Sequence, residues 1–288
     1  MEFLRKMECV KLKAGLWSAC VLPDFGANLI ELSYDGQRLL RSPASLMQLE
    51  ENPYLYGNPF LLPPNRTRDG RFEFEGRKYD LPVNEQERHN HIHGLMYNAP
   101  FTVTGSTDHE LYCCYENKGE RYPFPFSALF HYELSQDGLF LNVVIGNDGD
   151  NDMPLLVGFH TTFAAPKTFA VALGKRWERN KRFLPTGRLA ELNKEEELIR
   201  RGKKFEEGEP LSGFYTADGH WARVGDFLME TSENFTQWIL FNGGGGEGYL
   251  CVEPQSGPVN GLNVSEMCQV VKKGQTQKYW LRFRKSTS

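Results

Sequence analysis

The chain has 288 residues, of which 40% are hydrophobic, 13% aromatic and 24% charged, so it can bury a large core and is too apolar for intrinsic disorder. Lys and Arg number 33 against 37 Asp and Glu, a net charge of -4, which lacks the basic excess that a phosphate backbone demands and excludes nucleic acid as the expected partner. No run approaches the roughly 20 apolar residues of a membrane span, and Met1-Glu2-Phe3-Leu4-Arg5-Lys6 lacks a signal-peptide core, so a cytoplasmic protein with no membrane partner is expected.

In chain order, residues 43–51 can form about two helical turns with Ser42 as N-cap. Asp137-Gly138 lies between the apolar runs 130–134 and 139–145, a hairpin signal. Residues 147–152, Asn-Asp-Gly-Asp-Asn-Asp, mark another turn. Helix formers concentrate only in 188–201, and the charged stretch 194–209 reads as a solvated surface excursion. Gln237-Trp238-Ile239-Leu240-Phe241 and residues 279–284 read as strands. The glycine run 243–248 joins two strands, so it is a flexible hairpin loop and lacks the helix that a dinucleotide loop opens. Short apolar runs cut by Gly, Pro, Asn and Asp dominate, which predicts an all-β chain with very few helices, sheet packed on sheet. No repeat or linker divides it, and all-β units reach about 250 residues, so one domain over 1–288 is expected.

Six cysteines, Cys9, Cys20, Cys113, Cys114, Cys251 and Cys268, include no C-x-x-C pair, and read as reduced residues. The three N-x-[ST] triplets at Asn65, Asn234 and Asn263 matter only in a secreted chain.

Three polar features break the apolar pattern. In His89-Asn90-His91-Ile92-His93-Gly94 the histidines alternate, so an extended strand would point all three to one face. A metal site, a polar strand end and a catalytic role are all compatible with that pattern, although zinc needs further ligands from another segment. In 153–163 the apolar run is interrupted by His160, with the small Gly158 on its face. It is either a hydrogen-bonded core residue or a proton-transfer group beside room for a ligand. In Tyr249-Leu250-Cys251-Val252-Glu253-Pro254 a carboxylate ends an apolar strand. Partial burial there raises its pKa and makes it a better base at neutral pH, whereas exposure leaves it ordinary. Arg66, Arg68 and Arg71 occupy a turn and are surface charge or an anion pocket.

These segments in this order resemble the aldose 1-epimerase (galactose mutarotase) family. The resemblance rests on Asn58-Pro59 leading to Asn65-Arg66, then His91-Ile92-His93-Gly94, then Gly158-Phe159-His160-Thr161-Thr162-Phe163. Pro185-Thr186-Gly187 and Val252-Glu253-Pro254-Gln255 through Pro258 to Asn263 complete it. It implies a large antiparallel β-sandwich, the supersandwich of galactose mutarotase-like proteins, with no cofactor and no metal. The implied activity is interconversion of the α and β anomers of a free aldohexose by an isomerase acting alone or as a homodimer. On this likeness Glu253 is the general base, His160 the acid at the ring oxygen, and His93 a second histidine that orients the sugar. Arg66 and His91 hold substrate, Asp218 stands where the family carries a substrate-gripping Asp, and Phe159, Trp177 and Phe241 offer apolar faces for a pyranose. The second glycine of the family's His-Gly-Gly is Leu95 here. A hexose-6-phosphate 1-epimerase using the arginine turn, and a non-catalytic carbohydrate binder with the same cleft, are the competing expectations. No G-x-S-x-G elbow or G-x-x-x-x-G-K-[ST] loop supports another chemistry.

Overall fold

The computed structural model describes residues 9–286. The hexapeptide read for a signal sequence lies outside them. Strands make up most of the described chain, and they pair antiparallel throughout the named ladders. A four-stranded sheet holds Val10–Ala14, Trp17–Leu22, Asn28–Tyr34 and Gln37–Arg38. The main sheet of the β-sandwich runs from Thr102–Ser106 through Glu110–Asn117, Phe126–Ser135, Gly138–Asn147 and Thr276–Lys285. It continues through Phe227–Thr231, Ser212–Val224, Gln237–Phe241 and Tyr249–Gln255 to the short Gly158–Phe159 and Phe60–Leu61.

The packing follows from the period-2 pattern. Along Phe126–Ser135 buried and less buried residues alternate strictly, so Phe126, Ala128, Phe130, Tyr132 and Leu134 enter the core while their neighbours face out. The expected hairpin joins this strand to Gly138–Asn147, but its two-residue turn is Gln136-Asp137 and not Asp137-Gly138, because Ser135 pairs with Gly138 and Gly138 already opens the second strand. One apolar cluster then extends from Leu12 to Phe283. Tyr249–Gln255 is different, because all seven residues are buried. It has the core on one side and the floor of a cleft on the other.

Several expectations need correction. The first helix is Leu46–Glu51, capped by Ser45 and not Ser42, because the Ser45 hydroxyl is the one that accepts the Gln48 N–H at 3.1 Å. The predicted helix over 188–201 splits. Pro185–Ala190 is a strand paired to Thr168–Arg179, and the helix is only Lys194–Arg201. Asn193 and Glu196 form a reciprocal capping box there, which starts the helix after Leu192. Its Glu196 and Ile199 are buried, so the charged stretch is docked along that face. Cys9, just before the first strand, and Cys20, in the second, are joined as a disulfide with Cα atoms 5.9 Å apart, whereas Cys113, Cys114, Cys251 and Cys268 are free as expected. No helix among the described residues is long and apolar enough to cross a membrane.

Candidate active site

Glu253 sits on the fully buried strand Tyr249–Gln255, opposite Ile239 in the neighbouring strand. Its side chain is 2% exposed. Gln255, two residues along and therefore on the same face, donates from Nε2 to Glu253 Oε2 at 3.1 Å. Gln255 finds room because position 158 is glycine: a Cβ there would lie 2.9 Å from Pro64 Cβ and 3.0 Å from Gln255 Cγ. Gly158 therefore admits the partner of the carboxylate, where the sequence had suggested room for a ligand.

His160 lies in a break between Gly158–Phe159 and Thr162–Ala164, so the run 153–163 is three short strands and not one. Its backbone is clamped on both sides. The His160 N–H donates to the Pro59 carbonyl at 3.0 Å, and the Thr161 hydroxyl donates to Asn58 Oδ1 at 2.6 Å. Asn58 is in turn held by Asn28. Every polar group in this small lattice is buried, so the bonds are strong and the imidazole has a fixed exit direction. His160 Nε2 stands 3.4 Å from Glu253 Oε1.

His93 and Arg66 come from a two-stranded ribbon in which Arg66 faces Ile92. The alternate-histidine expectation fails here, because His89 and His93 both have positive φ, 52° and 65°. Only Asn90–Ile92 is extended, so the three rings point to different places. His89 is exposed and bonded to Asp69 at 2.9 Å. His91 is buried, with Nδ1 at 2.7 Å from the Pro82 carbonyl. His93 alone enters the cleft, its ring centroid 5.0 Å from that of His160 and 4.7 Å from Tyr54. The following Gly94 has φ of 68° and packs against the Leu62 carbonyl, where no Cβ fits. Arg66 makes a fork with Glu85 at 2.9 and 2.8 Å, and Asn65 Oδ1 accepts from its backbone N–H and from Nη1. The guanidinium is thus rigid before any ligand arrives.

These groups line one cleft of about 390 Å³ together with Tyr54, Asn65, Phe183, Phe214 and Phe241. Burial drives its electrostatics. It pushes the Glu253 carboxyl up to about 8, against the opposing help of Gln255 and the Arg66 charge. It pulls His160 down to about 4 and His93 well below the ordinary histidine value, the latter with further help from His160 and Arg66. At neutral pH the Glu253–His160 pair therefore holds one proton, which a hydroxylic ligand can exchange.

Of the residues singled out in the sequence, Glu253, His160, His93, Arg66 and Phe241 converge on the cleft, and four others do not. His91 is turned into the protein, as described. Asp218 is exposed and paired with Arg200 at 2.6 Å. Phe159 is wholly buried against Phe60 and Phe235. Trp177 is buried behind the cleft with Phe214 and Ile239, and its Nε1 donates to Gln237 at 2.8 Å. Each is on the face of its element that packing claims. Tyr54, Phe183, Phe214 and Gln255 were missed as site residues. Phe183 has a signal in hindsight: Asn180 Oδ1 accepts from the N–H groups of Arg182 and Leu184, a turn that forces Phe183 to a φ of 58° and its ring into the cleft. Among the described residues, the side chains able to share a metal ion lie elsewhere, at Glu110, His131 and Glu133.

Comparison with known proteins agrees with the architecture. The chain superposes on a galactose mutarotase-like protein from Clostridium acetobutylicum with a TM-score of 0.91, 23% identity and coverage of 100% of this chain and 98% of that one. A galactose 1-epimerase from Lactobacillus acidophilus gives 0.78 at 17% identity, covering 100% and 98%. At those identities the likeness is one of fold. Among curated proteins, uncharacterized protein YihR of Escherichia coli is 29% identical over 156 residues, 53% of this chain and 49% of that protein. Uncharacterized protein YphB of the same organism is 29% identical over 105 residues, 36% of each. The aligned stretches thus span half or less of these relatives. The aldose 1-epimerase family model matches residues 8–284, nearly the whole chain including every cleft residue described above, and the protein belongs to the aldose 1-epimerase family.

Proposed function

We propose that the protein is an isomerase that interconverts the α and β anomers of an aldose with a free anomeric carbon. The observation that carries this reading is the 3.4 Å approach of His160 Nε2 to Glu253 Oε1 inside the cleft. A hemiacetal presents its C1 hydroxyl and ring oxygen on the same carbon, so an acid and a base in contact can address both. Glu253 takes the C1 hydroxyl proton while His160 protonates the ring oxygen. The C1–O5 bond breaks, its electron pair stays on O5, and the C1 oxygen becomes the aldehyde carbonyl. Rotation about C1–C2 presents the other carbonyl face, and ring closure returns both protons. The pair ends as it began, so no co-reactant is needed.

Burial supplies the tuning. In the empty cleft the shared proton rests on the carboxyl; the reactive form places it on the imidazole, one transfer across 3.4 Å. Sugar hydroxyls and the Arg66 charge both favour the carboxylate form. His93, neutral and 5.0 Å from His160, can bond a sugar oxygen without competing for the proton. Phe183, Phe214 and Phe241 provide apolar faces for the ring carbons. A sugar-binding protein without activity has no use for a buried acid–base pair, whose isolation from water costs stability. The rival anion pocket at Arg66, Arg68 and Arg71 loses its basis, because Arg66 is forked to Glu85, Arg71 is paired with Asp80 at 2.7 Å, and Arg68 lies 3.9 Å from Asp69. Anomer exchange followed by NMR with wild type and Glu253→Gln tests the assignment. Loss of rate with retained sugar binding is expected, and equal rates overturn it.

A further inference from the structure

A cross-strand cluster on the outer face of the main sheet has no part in the anomerisation. Phe126–Ser135 buries Phe130, Tyr132 and Leu134, so His131 and Glu133 between them share the opposite face. In the neighbouring strand Glu110 stands directly opposite Glu133, and Tyr112 directly opposite His131. A ring nitrogen of His131 and one oxygen from each carboxylate lie within 4.8 Å of one another. None of the three residues lines the cleft, and in sheet order five strands separate Phe126–Ser135 from Tyr249–Gln255.

Three observations set this cluster apart from ordinary surface charge. Like charges directly opposite on paired strands repel, and among the described residues neither glutamate has a Lys or Arg within ion-pair distance; the one ion-pair contact either makes is that of Glu110 with His131. On the other flank Glu133 faces Phe140 and His131 faces Asn142, while Arg282, beyond Phe140, faces Glu230. His131 Nε2 is buried without a hydrogen-bond partner, although Tyr112 fixes the imidazole plane by stacking on it at 4.0 Å and 7°. That nitrogen stands 3.5 Å from Glu110 Oε1, close to the ligand-to-ligand edge of about 3.4 Å in a tetrahedral site with bonds of about 2.0–2.2 Å. A cation between the three groups pairs the nitrogen and cancels the repulsion.

We infer that Glu110, His131 and Glu133 form a binding site for a divalent transition ion of the zinc class, with water completing its coordination. One imidazole and two carboxylates match the ligand preference of zinc. Calcium takes six to eight oxygens and magnesium an octahedral oxygen shell, so three protein ligands of which one is a nitrogen suit neither. Glu110–Asn117 is the second strand from the sheet's end at Thr102–Ser106. Its connection to Phe126–Ser135 runs through residues 118–125, so an ion shared by Glu110, His131 and Glu133 ties the opposite, open end of that hairpin. The ion is a structural clasp that closes the loop between the two strands.

The test titrates the full chain, stripped of metal by a chelator, with zinc, magnesium and calcium chloride. Binding is followed by calorimetry and stability by thermal unfolding, for wild type, His131→Gln and Glu133→Gln. Each shift is read against the same protein without metal, so a change in the stability of a variant cancels. Wild type should bind one zinc ion per chain with micromolar or tighter affinity, and saturating zinc should raise its unfolding midpoint by a few degrees. Either substitution should weaken zinc binding by at least about tenfold and abolish the shift, while magnesium and calcium should leave the midpoint in place. A wild-type midpoint that zinc leaves unmoved or lowers, an equal response to calcium or magnesium, or a zinc response that survives His131→Gln overturns the inference. No sugar enters the measurement, so its outcome is independent of the anomerase reading.

Discussion

The rate of anomer exchange should be bell-shaped in pH, because the Glu253–His160 pair works only while it holds a single proton. Burial sets the two limits, at about 8 for Glu253 and about 4 for His160. Whichever partner carries the proton, the count is the same, so the plateau belongs to the pair. Between roughly pH 5 and 7 the enzymatic rate should be flat. At pH 9, about one unit above the upper limit, only about a tenth of the pairs retain their proton, so the rate should fall about tenfold. Glu253→Gln removes the upper limit together with the base. It should lose about 10²–10⁴ of the rate and show no alkaline limb. NMR exchange between anomers of a neutral aldose, with the buffer rate subtracted at each pH, measures both curves. An enzymatic rate that stays level or rises from pH 7 to 10, or an alkaline limb of equal position in Glu253→Gln, would refute the shared-proton account.

The same burial makes the site costly to the fold. Because Glu253 titrates near 8 when folded against 4.5 ordinarily, the folded protein keeps a proton that the unfolded chain releases. Stability contributed by the neutral carboxyl is therefore lost as pH rises from about 4.5 to about 8, by at most about 5 kcal/mol. Glu253→Gln should accordingly melt higher than wild type at pH 8, with a smaller gain at pH 5, in thermal unfolding followed by circular dichroism. Gln255→Leu removes the donor that favours the carboxylate, so kcat should drop with little change in KM and the alkaline limit should move upward in the pH–rate curve. Gly158→Ala forces a Cβ against Pro64 and Gln255. It should cost about 1–3 kcal/mol in denaturant unfolding and lower kcat by displacing Gln255. Asp218→Ala, which removes an exposed partner of Arg200, should leave KM unchanged and alter stability by less than about 1 kcal/mol; a large rise in KM would restore Asp218 as a sugar ligand.

How far the site can be read from the chain depends on which physical constraint each residue answers to. Glu253 and His160 are conspicuous because a charged or titratable group inside an apolar strand must be explained by something other than packing. Arg66 and His93 are legible through the motifs around them. Phe159 and Trp177 are large aromatics that suit a sugar and a core equally well, and the core took both. The three histidines of residues 89–93 show the limit of periodicity: alternation holds only while the backbone stays extended, and two positive φ values redirect the rings. The first helix and the second were each sensed in sequence, but their ends were set by which side chain reaches the first free N–H groups, Ser45 and Asn193.

The sequence by itself determined the strand-rich character, the hairpin between the runs 130–134 and 139–145 and the family, since period-2 hydrophobicity, turn chemistry and ordered motifs are local properties of the chain. Only the tertiary structure decided that Gln255 braces Glu253 through the space left by Gly158 and that Phe183 swings into the cleft. Those two facts depend on segments far apart in the chain meeting across sheet registers and hairpin tips, and a contact of that kind leaves no periodic trace in any one of them.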